Sequence, residues 1–494
     1  MDFPITTRSA EAQAFFNQGV AQMHSFWSRE AERSFLQAAS LDPAAPMPQW
    51  GIAMVAAGDY RPGFQLGLVS GVQPKPRKRA GPLQGGAARA AEATRKAQVL
   101  ASAPGAATEV EKLYIAAAVA RRDQEAKDSE AAYTQALRRL IESHPKQIEA
   151  RAYFALQIMS GFELPDKSPR RGSSEAVAIL RQLLIEAPDH PGVHHYVIHG
   201  WEGSSFAKEA WPSCERYGGL AYNIPHGLHM PGHIYAQTGR WADAAKAFDL
   251  AARNEVYWME ADSLSGNGHH GHNVHFQATA YSFEGEFDRA LATGRSLLAY
   301  KETPREAKQV DNYRTAWRQG WFAVLRTLVQ HEKWDLILDG ATLPAYDKPR
   351  EKAWRHWAMA QARIAKGQRQ EAEEESKAFN ATLKVFREKV NQDPPDSLRV
   401  ARVELDGHLA LVMGKPDKAF KLLERASLQE RALRYNEPPN YPRPVLEVLG
   451  KLAIRNGREA LAEKAFQGAL EQYPESAISK SGLRAIGRSS NSGS

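Results

Sequence analysis

AQAFFNQGVAQMHSFWSREAERSFLQAASLDP, residues 12–43, carries two amphipathic helices in one short span. Its apolar residues recur at the helical period rather than the strand period. Phe15, Gly19, Ala31, Phe35, Ala38 and Pro43 stand at positions 4, 8, 20, 24, 27 and 32 of the stretch. Small residues at positions 8, 20 and 27 let the two helices approach closely, and Pro43 cannot continue the second. The pattern returns near the other end. Counted from residue 443, Gly450, Ala462, Phe466, Ala469 and Pro474 occupy positions 8, 20, 24, 27 and 32. Between them, Gly407/Gly414/Ala419/Ala426, Gly367/Ala372 and Gly232/Tyr235/Gly239/Ala244/Phe248/Ala251 fit the same frame, and Tyr281/Gly285/Ala290 fits it more loosely. Alanine and glycine are common, so one match says little; about six in one register specify an architecture.

This frame resembles the tetratricopeptide repeat, and the resemblance covers nearly the whole chain. It implies an all-α, right-handed superhelix (a solenoid) of antiparallel helix pairs, each pair burying its apolar face on the next around a concave inner surface. Degenerate or interrupted units are expected at 46–110, 145–190 and 300–345. The chain divides accordingly into N-terminal repeats over 1–70, a Pro/Gly/basic linker or loop plus helix over 71–105, degenerate repeats over 106–190 with an inserted loop near 161–174, a histidine-rich block over 191–300, C-terminal repeats over 301–480, and a flexible tail over 481–494.

Composition narrows the function. The 494 residues are 43% apolar and 24% charged, with a net charge of +7. No apolar run approaches a membrane span, and the N-terminus has no secretory leader, which points to the cytoplasm. The run Lys75-Pro76-Arg77-Lys78-Arg79 reads as a solvated loop; no aromatic or fold signature makes it a nucleic-acid arm. The single Cys214 excludes a disulfide framework and a thiolate-rich metal site. With Glu215 beside it, Cys214 is not expected to act as a nucleophile. Glycine-rich phosphate loops, G-x-S-x-G and H-E-x-x-H are all missing.

What remains is histidine. Eleven of 16 lie between His190 and His275, ordered as His195/His199, His226/His229/His233 and His272/His275. Spacings of three and four share one helix face. In the repeat frame His195, His199 and Glu202 take positions 5, 9 and 12 of one unit. His226, His229 and His233 take positions 2, 5 and 9 of the next, and His272 and His275 take positions 2 and 5 of a third. The resemblance places those positions on the concave face, so seven histidines from three first helices are expected to line one groove. His190, His194, His269 and His270 fall at helix starts or loops and are expected to support the site or face solvent.

The strings H-x-x-I-H-x-x-E (195–202), H-M-P-x-H-I-Y (229–235) and H-N-x-H-F (272–276) resemble a bacterial tetratricopeptide subfamily, which implies a shared groove site without naming its reaction. The chain departs from it at Gly200-Trp201. An imidazole-rich set suits copper, iron or zinc, whereas calcium and magnesium prefer oxygen. Such an ion activates water or dioxygen, with Glu202 as a further ligand or general base. Met230 is a soft axial ligand or packing, and Asn273 and Tyr235 are supporting contacts. Trp201, Trp211, Trp241 and Trp258 shape a pocket or fill the core. Metal binding should weaken below about pH 6 as imidazoles protonate. Two functions stay open: a metal-dependent enzyme that oxidises, or hydrolyses, a small molecule or peptide in the groove, and a non-catalytic scaffold that docks a protein partner there.

Overall fold

A computed structural model describes residues 1–58, 60, 85–123, 125–163, 166–261, 268–310, 313–389, 393–433 and 436–491. The basic run Lys75–Arg79 lies outside them. The chain is all-α: no strand forms among the described residues, and one isolated bridge, Phe162 with Pro169, closes the inserted loop. It separates into two compact units, Met1–Ile234 and Tyr235–Ser494, a boundary inside the histidine-rich block.

Unit 1 holds α1 (Ala10–His24), α2 (Ser28–Leu41), α3 (Pro46–Val55), α4 (Gly86–Ala101), α5 (Glu109–Arg122), α6 (Ser129–Ser143), α7 (Ile148–Ile158), α8 (Ser173–Glu186), α9 (Pro191–Trp201), α10 (Trp211–Leu220) and α11 (Pro225–Gln237) as far as Ile234. Helix starts follow from side chains that accept the first N–H groups: Ser9 for α1, Asp128 for α6, and a Thr108/Glu111 capping box for α5. Neighbours pair as α1 with α2, α5 with α6, α7 with α8 and α9 with α10. The ring of Phe35 explains the small residues. A Cβ on Gly19 would lie 2.6 Å from it, and one on Gly51 2.4 Å. The helices on both sides thus pack directly onto a fully buried phenyl group.

Unit 2 holds α12 (Trp241–Ala261), α13 (Gly268–Glu284), α14 (Phe287–Ser296), α15 (Pro304–Lys308), α16 (Ala316–Gln330), α17 (Trp334–Leu338), α18 (Pro349–Ala365), α19 (Arg369–Lys389), α20 (Asp396–Val412), α21 (Pro416–Arg431), α22 (Val445–Arg455), α23 (Glu459–Gln472) and α24 (Ala477–Asn491). A Cβ on Gly450 would lie 2.7 Å from the Phe466 ring and one on Gly482 2.4 Å, which repeats the Gly19–Phe35–Gly51 spacing. That packing orders the segment read as a tail. α24 runs through it to Asn491, and Ser492–Ser494 lie outside the described residues. Within the stretch read as degenerate, α16 is buried on nearly every side.

Each unit brings its first helix against a distant one. In unit 1, α1 meets α9, where a Cβ on Gly192 would stand 2.3 Å from His24 Nδ1. In unit 2, Trp241 Nε1 donates to the Pro474 carbonyl (2.8 Å) and Phe283 stacks on Tyr473. Gly239 (φ 82°) lies under that carbonyl, at a distance where any side chain would collide.

Gly51→Ala should lower the stability of unit 1 by ~1–3 kcal/mol through overpacking. Gly218→Ala in α10, where a Cβ meets nothing within 4 Å, should raise it by up to ~1 kcal/mol. Denaturant midpoints of the two variants check the contrast. In unit 2, burial and then the Lys451 charge lower the His331 pKa to about 4, against its bond to Ser282. The folded value lies below the ordinary 6.5, so the stabilisation is complete above that pH and fades as pH falls toward 4. The loss should reach up to ~1.4 kcal/mol per pH unit, and His331→Gln should flatten it in pH-dependent melts of unit 2.

Candidate metal centre

α9 sets His195 and His199 one turn apart, and α11 sets His226, His229 and His233 on one face. Within unit 1 these five rings form a row. Centroids lie 4.7 Å apart for His199 and His195, 5.1 Å for His195 and His226, 4.7 Å for His226 and His229, and 4.7 Å for His229 and His233. Glu202, the residue that caps α9, closes the row into a ring: His199 Nδ1 lies 2.8 Å from its Oε2 and His233 Nδ1 2.9 Å from its Oε1. His195, His199 and His226 each offer a nitrogen within 4.8 Å of the other two.

The partners decide which nitrogen carries the proton. Burial pushes the Glu202 carboxyl up, but the bonds from His199 and His233 outweigh it and hold the group well below the usual carboxylate range. An ionised carboxylate only accepts, so both Nδ1 atoms donate and the lone pairs stand on Nε2. His195 reaches the same tautomer by another route, since its Nδ1 donates to the His24 carbonyl at 2.5 Å. A carboxylate or carbonyl on one ring nitrogen with the lone pair on the other is the arrangement of metal-bound histidine. Around His195 the walls are aromatic: Tyr217 stacks on it at 5.2 Å and Phe26 lies at 4.5 Å.

A second group, His24, Glu149 and His190, has the composition of a two-histidine, one-carboxylate site. Its hydrogen bonds say otherwise. His24 Nε2 and His190 Nε2 both donate to Glu149, at 2.5 and 2.9 Å. The Val193 N–H donates into His190 Nδ1 at 3.2 Å, which fixes that ring's lone pair on Nδ1 and its proton on Nε2. His24 Nδ1 in turn lies 2.8 Å from the Tyr196 hydroxyl. Burial lowers the His24 pKa against the pull of Glu149, so the ring is neutral. This is a completed hydrogen-bond network joining α1, α7 and α9.

Unit 2 treats its histidines differently. Glu255 binds His269 Nδ1 (2.5 Å) and Asn273 Nδ2 (3.0 Å), and His272 stacks on His269 at 5.8 Å. His275 turns away, with Nδ1 2.5 Å from Gln319 Oε1. Burial first, and then the Arg326 and Arg350 charges, push its pKa down to about 3. His275 belongs to no metal-sized group among the described residues. The Arg326 and Arg350 charges beside it would also repel a metal ion. Asn273, expected as a support, is fully buried on Glu255.

Among the other expected contacts, His194 is buried and bonds Ser213 and the Pro188 carbonyl. His190 is likewise buried rather than solvated, and Met230 and Cys214 are packed in the interior. Sequence reasoning did not find His24, Glu149, Phe26 or Glu255. His24 ends α1, four residues before α2 begins, and lies outside the histidine cluster.

The sequence matches no family model and no curated protein. Among solved structures of tetratricopeptide-repeat proteins, it is similar to yeast Tom70 at 12% identity, covering 97% of this chain and 96% of that one, with a TM-score of 0.35. The APC/C hetero-tetramer Cut9–Hcn1 is similar at 12% identity over 97% of this chain and 78% of that one, with a TM-score of 0.32. The human IFIT1 dimer with m7Gppp-AAAA is similar at 12% identity over 98% and 96%, with a TM-score of 0.33.

Glu149→Ala strips the acceptor from two buried imidazoles and should destabilise unit 1 by about 2–5 kcal/mol. Glu149→Gln keeps one acceptor and should cost less. Equilibrium denaturation read by near-ultraviolet circular dichroism measures both; equal, small losses would remove the network from its structural role.

Proposed function

We propose that unit 1 binds a first-row transition metal through His195, His199 and His226, and that the chain is a metal-dependent enzyme. The observation that carries this reading is the shared tautomer. His195 and His199, one turn apart, both present Nε2 lone pairs, and each is oriented from behind by an acceptor on Nδ1. Three imidazoles suit zinc, copper, nickel or iron(II) and leave a coordination position for a small ligand. His229 and His233 extend the donor row for a second ion or a bound substrate.

Glu202 has a positioning role in this reading. Both of its oxygens already accept imidazole protons, so it fixes rings instead of taking a proton from substrate. The reaction classes that fit are oxidation of a small molecule or peptide and metal-assisted hydrolysis. Docking of a protein segment on these residues fits less well. His195, His199 and His229 are 0%, 1% and 3% exposed, whereas a docking groove offers its side chains to solvent.

Purified protein dialysed against zinc, copper, nickel, iron(II), magnesium and calcium should retain a stoichiometric transition ion and neither magnesium nor calcium. His195→Ala combined with His226→Ala should abolish retention with helicity unchanged. Glu202→Gln cannot accept from two N–H groups as the carboxylate does, and should weaken the metal about 10–100-fold. Elemental analysis and competition titration decide the matter. Substoichiometric metal in the wild type, or full retention in the double variant, sinks the proposal.

A further inference from the structure

Several helix ends of this chain share one conformation. Gly239, Gly285, Gly367, Gly414 and Gly457 sit just past a helix with φ of 82, 88, 73, 73 and 68°. At Gly414 the pattern is typical: its N–H bonds the Leu411 carbonyl, and the next N–H, of Lys415, reaches back to Ala410, each at 2.9 Å. Glycine belongs there because a side chain disfavours left-handed backbone. α1 ends with the same pair of bonds, Phe26 N–H to the Met23 carbonyl at 3.0 Å and Trp27 N–H to Gln22 at 2.9 Å. Yet the residue is a phenylalanine, with φ 55°. A bulky side chain in that region is strained.

Another such exception shows what side chains at this position are for. Glu332, at the end of α16 with φ 53°, uses its carboxylate to hold Lys451 (3.5 Å) and Arg455. Phe26 uses its ring. The ring is 3% exposed and its centroid lies 4.5 Å from His195, 5.4 Å from His199 and 5.6 Å from His226. On His199 it stacks, with 19° between the planes. One strained residue therefore touches all three rings of the proposed ligand set.

Resting on the metal reading above, we infer that Phe26 is the specificity-determining residue of the centre: it walls the open coordination position and admits small uncharged ligands while refusing hydrated anions. An anion arriving there would shed water against an apolar ring and meet the negative face of its π system. A small neutral molecule does neither. The apolar shell of a metal also sets its access to solvent, so a dry position favours the oxidative chemistry over the hydrolytic one.

The test uses copper(II)- or cobalt(II)-loaded full-length protein and azide as the anionic probe, followed by its charge-transfer band. Phe26→Gly suits the left-handed backbone and removes the wall; it should bind azide at least about tenfold more tightly than wild type. Phe26→Leu keeps an apolar wall and should stay near wild type. Phe26→Asn also tolerates positive φ and carries the same expectation as glycine, should the glycine variant fold poorly. Azide affinity unchanged in the variants that retain metal overturns the inference. A second arm needs no metal: exchange of the imidazole C2–H, read by mass spectrometry, should quicken at His195, His199 and His226 in Phe26→Gly and stay slow at His190. Metal-free wild type together with quickened exchange condemns the metal reading alone, whereas unchanged exchange condemns the role of Phe26.

Discussion

A single buried carboxylate, that of Glu149, accepts hydrogen bonds from His24 on one side and His190 on the other. Those two residues end α1 and begin α9, so the carboxylate fastens the first helix of unit 1 to one far along the chain. Closure leaves room for nothing between them, which is why Gly192 packs on the His24 ring. Two consequences follow from where α1 then stops. The His24 carbonyl lands on His195 Nδ1, and the next turn of chain drops Phe26 among the imidazoles. Both the orientation of His195 and the placement of Phe26 descend from that one buried acceptor.

Similar side chains serve opposite ends in unit 1. His24, Glu149 and His190 have the donor types of a metal site, and so do His199, His233 and Glu202. The difference lies in what approaches the other ring nitrogen. A backbone N–H aimed at His190 Nδ1 forces the proton onto Nε2 and spends the ring on structure. A carboxylate or carbonyl aimed at Nδ1 of His195, His199 and His233 leaves the lone pair on Nε2. Backbone placement, rather than residue type, separates a latch from the proposed ligand set.

That distinction sets the limit of what the chain's letters reveal. Gly19, Phe35 and Ala38 disclose their helix pair because the contacts that select them lie within one repeat, and Gly450 with Phe466 does the same. The i, i+4 spacing of His195 and His199, and of His229 and His233, is equally local. His24, Glu149 and Phe26 are different. Their roles arise from closure between α1, α7 and α9, and no short-range period encodes which distant helix a residue will meet. His275 fails for the converse reason. It shares its helix face with the pattern, but Arg326 and Arg350, brought in from α16 and α18, make its surroundings hostile to a cation. α24 stayed hidden behind a Ser/Gly-rich end whose order comes from Gly482 resting on Phe466.

Repeats offer a further way of reading such a chain, because each unit states what the fold alone requires. Several helices end on left-handed backbone, and at Gly367, Gly414 and Gly457 the residue there is glycine. Phe26 and Glu332 accept strain at that same step, and each has a side chain that is used: one on three imidazoles, the other on two cations. Pro231 is a comparable departure, since it removes a helical N–H within α11, between His229 and His233. Local rules are broken where something other than folding is being satisfied. In unit 1 two of those breaks, at Phe26 and Pro231, converge on the histidine row, and that convergence separates the row from a chance enrichment of one residue type.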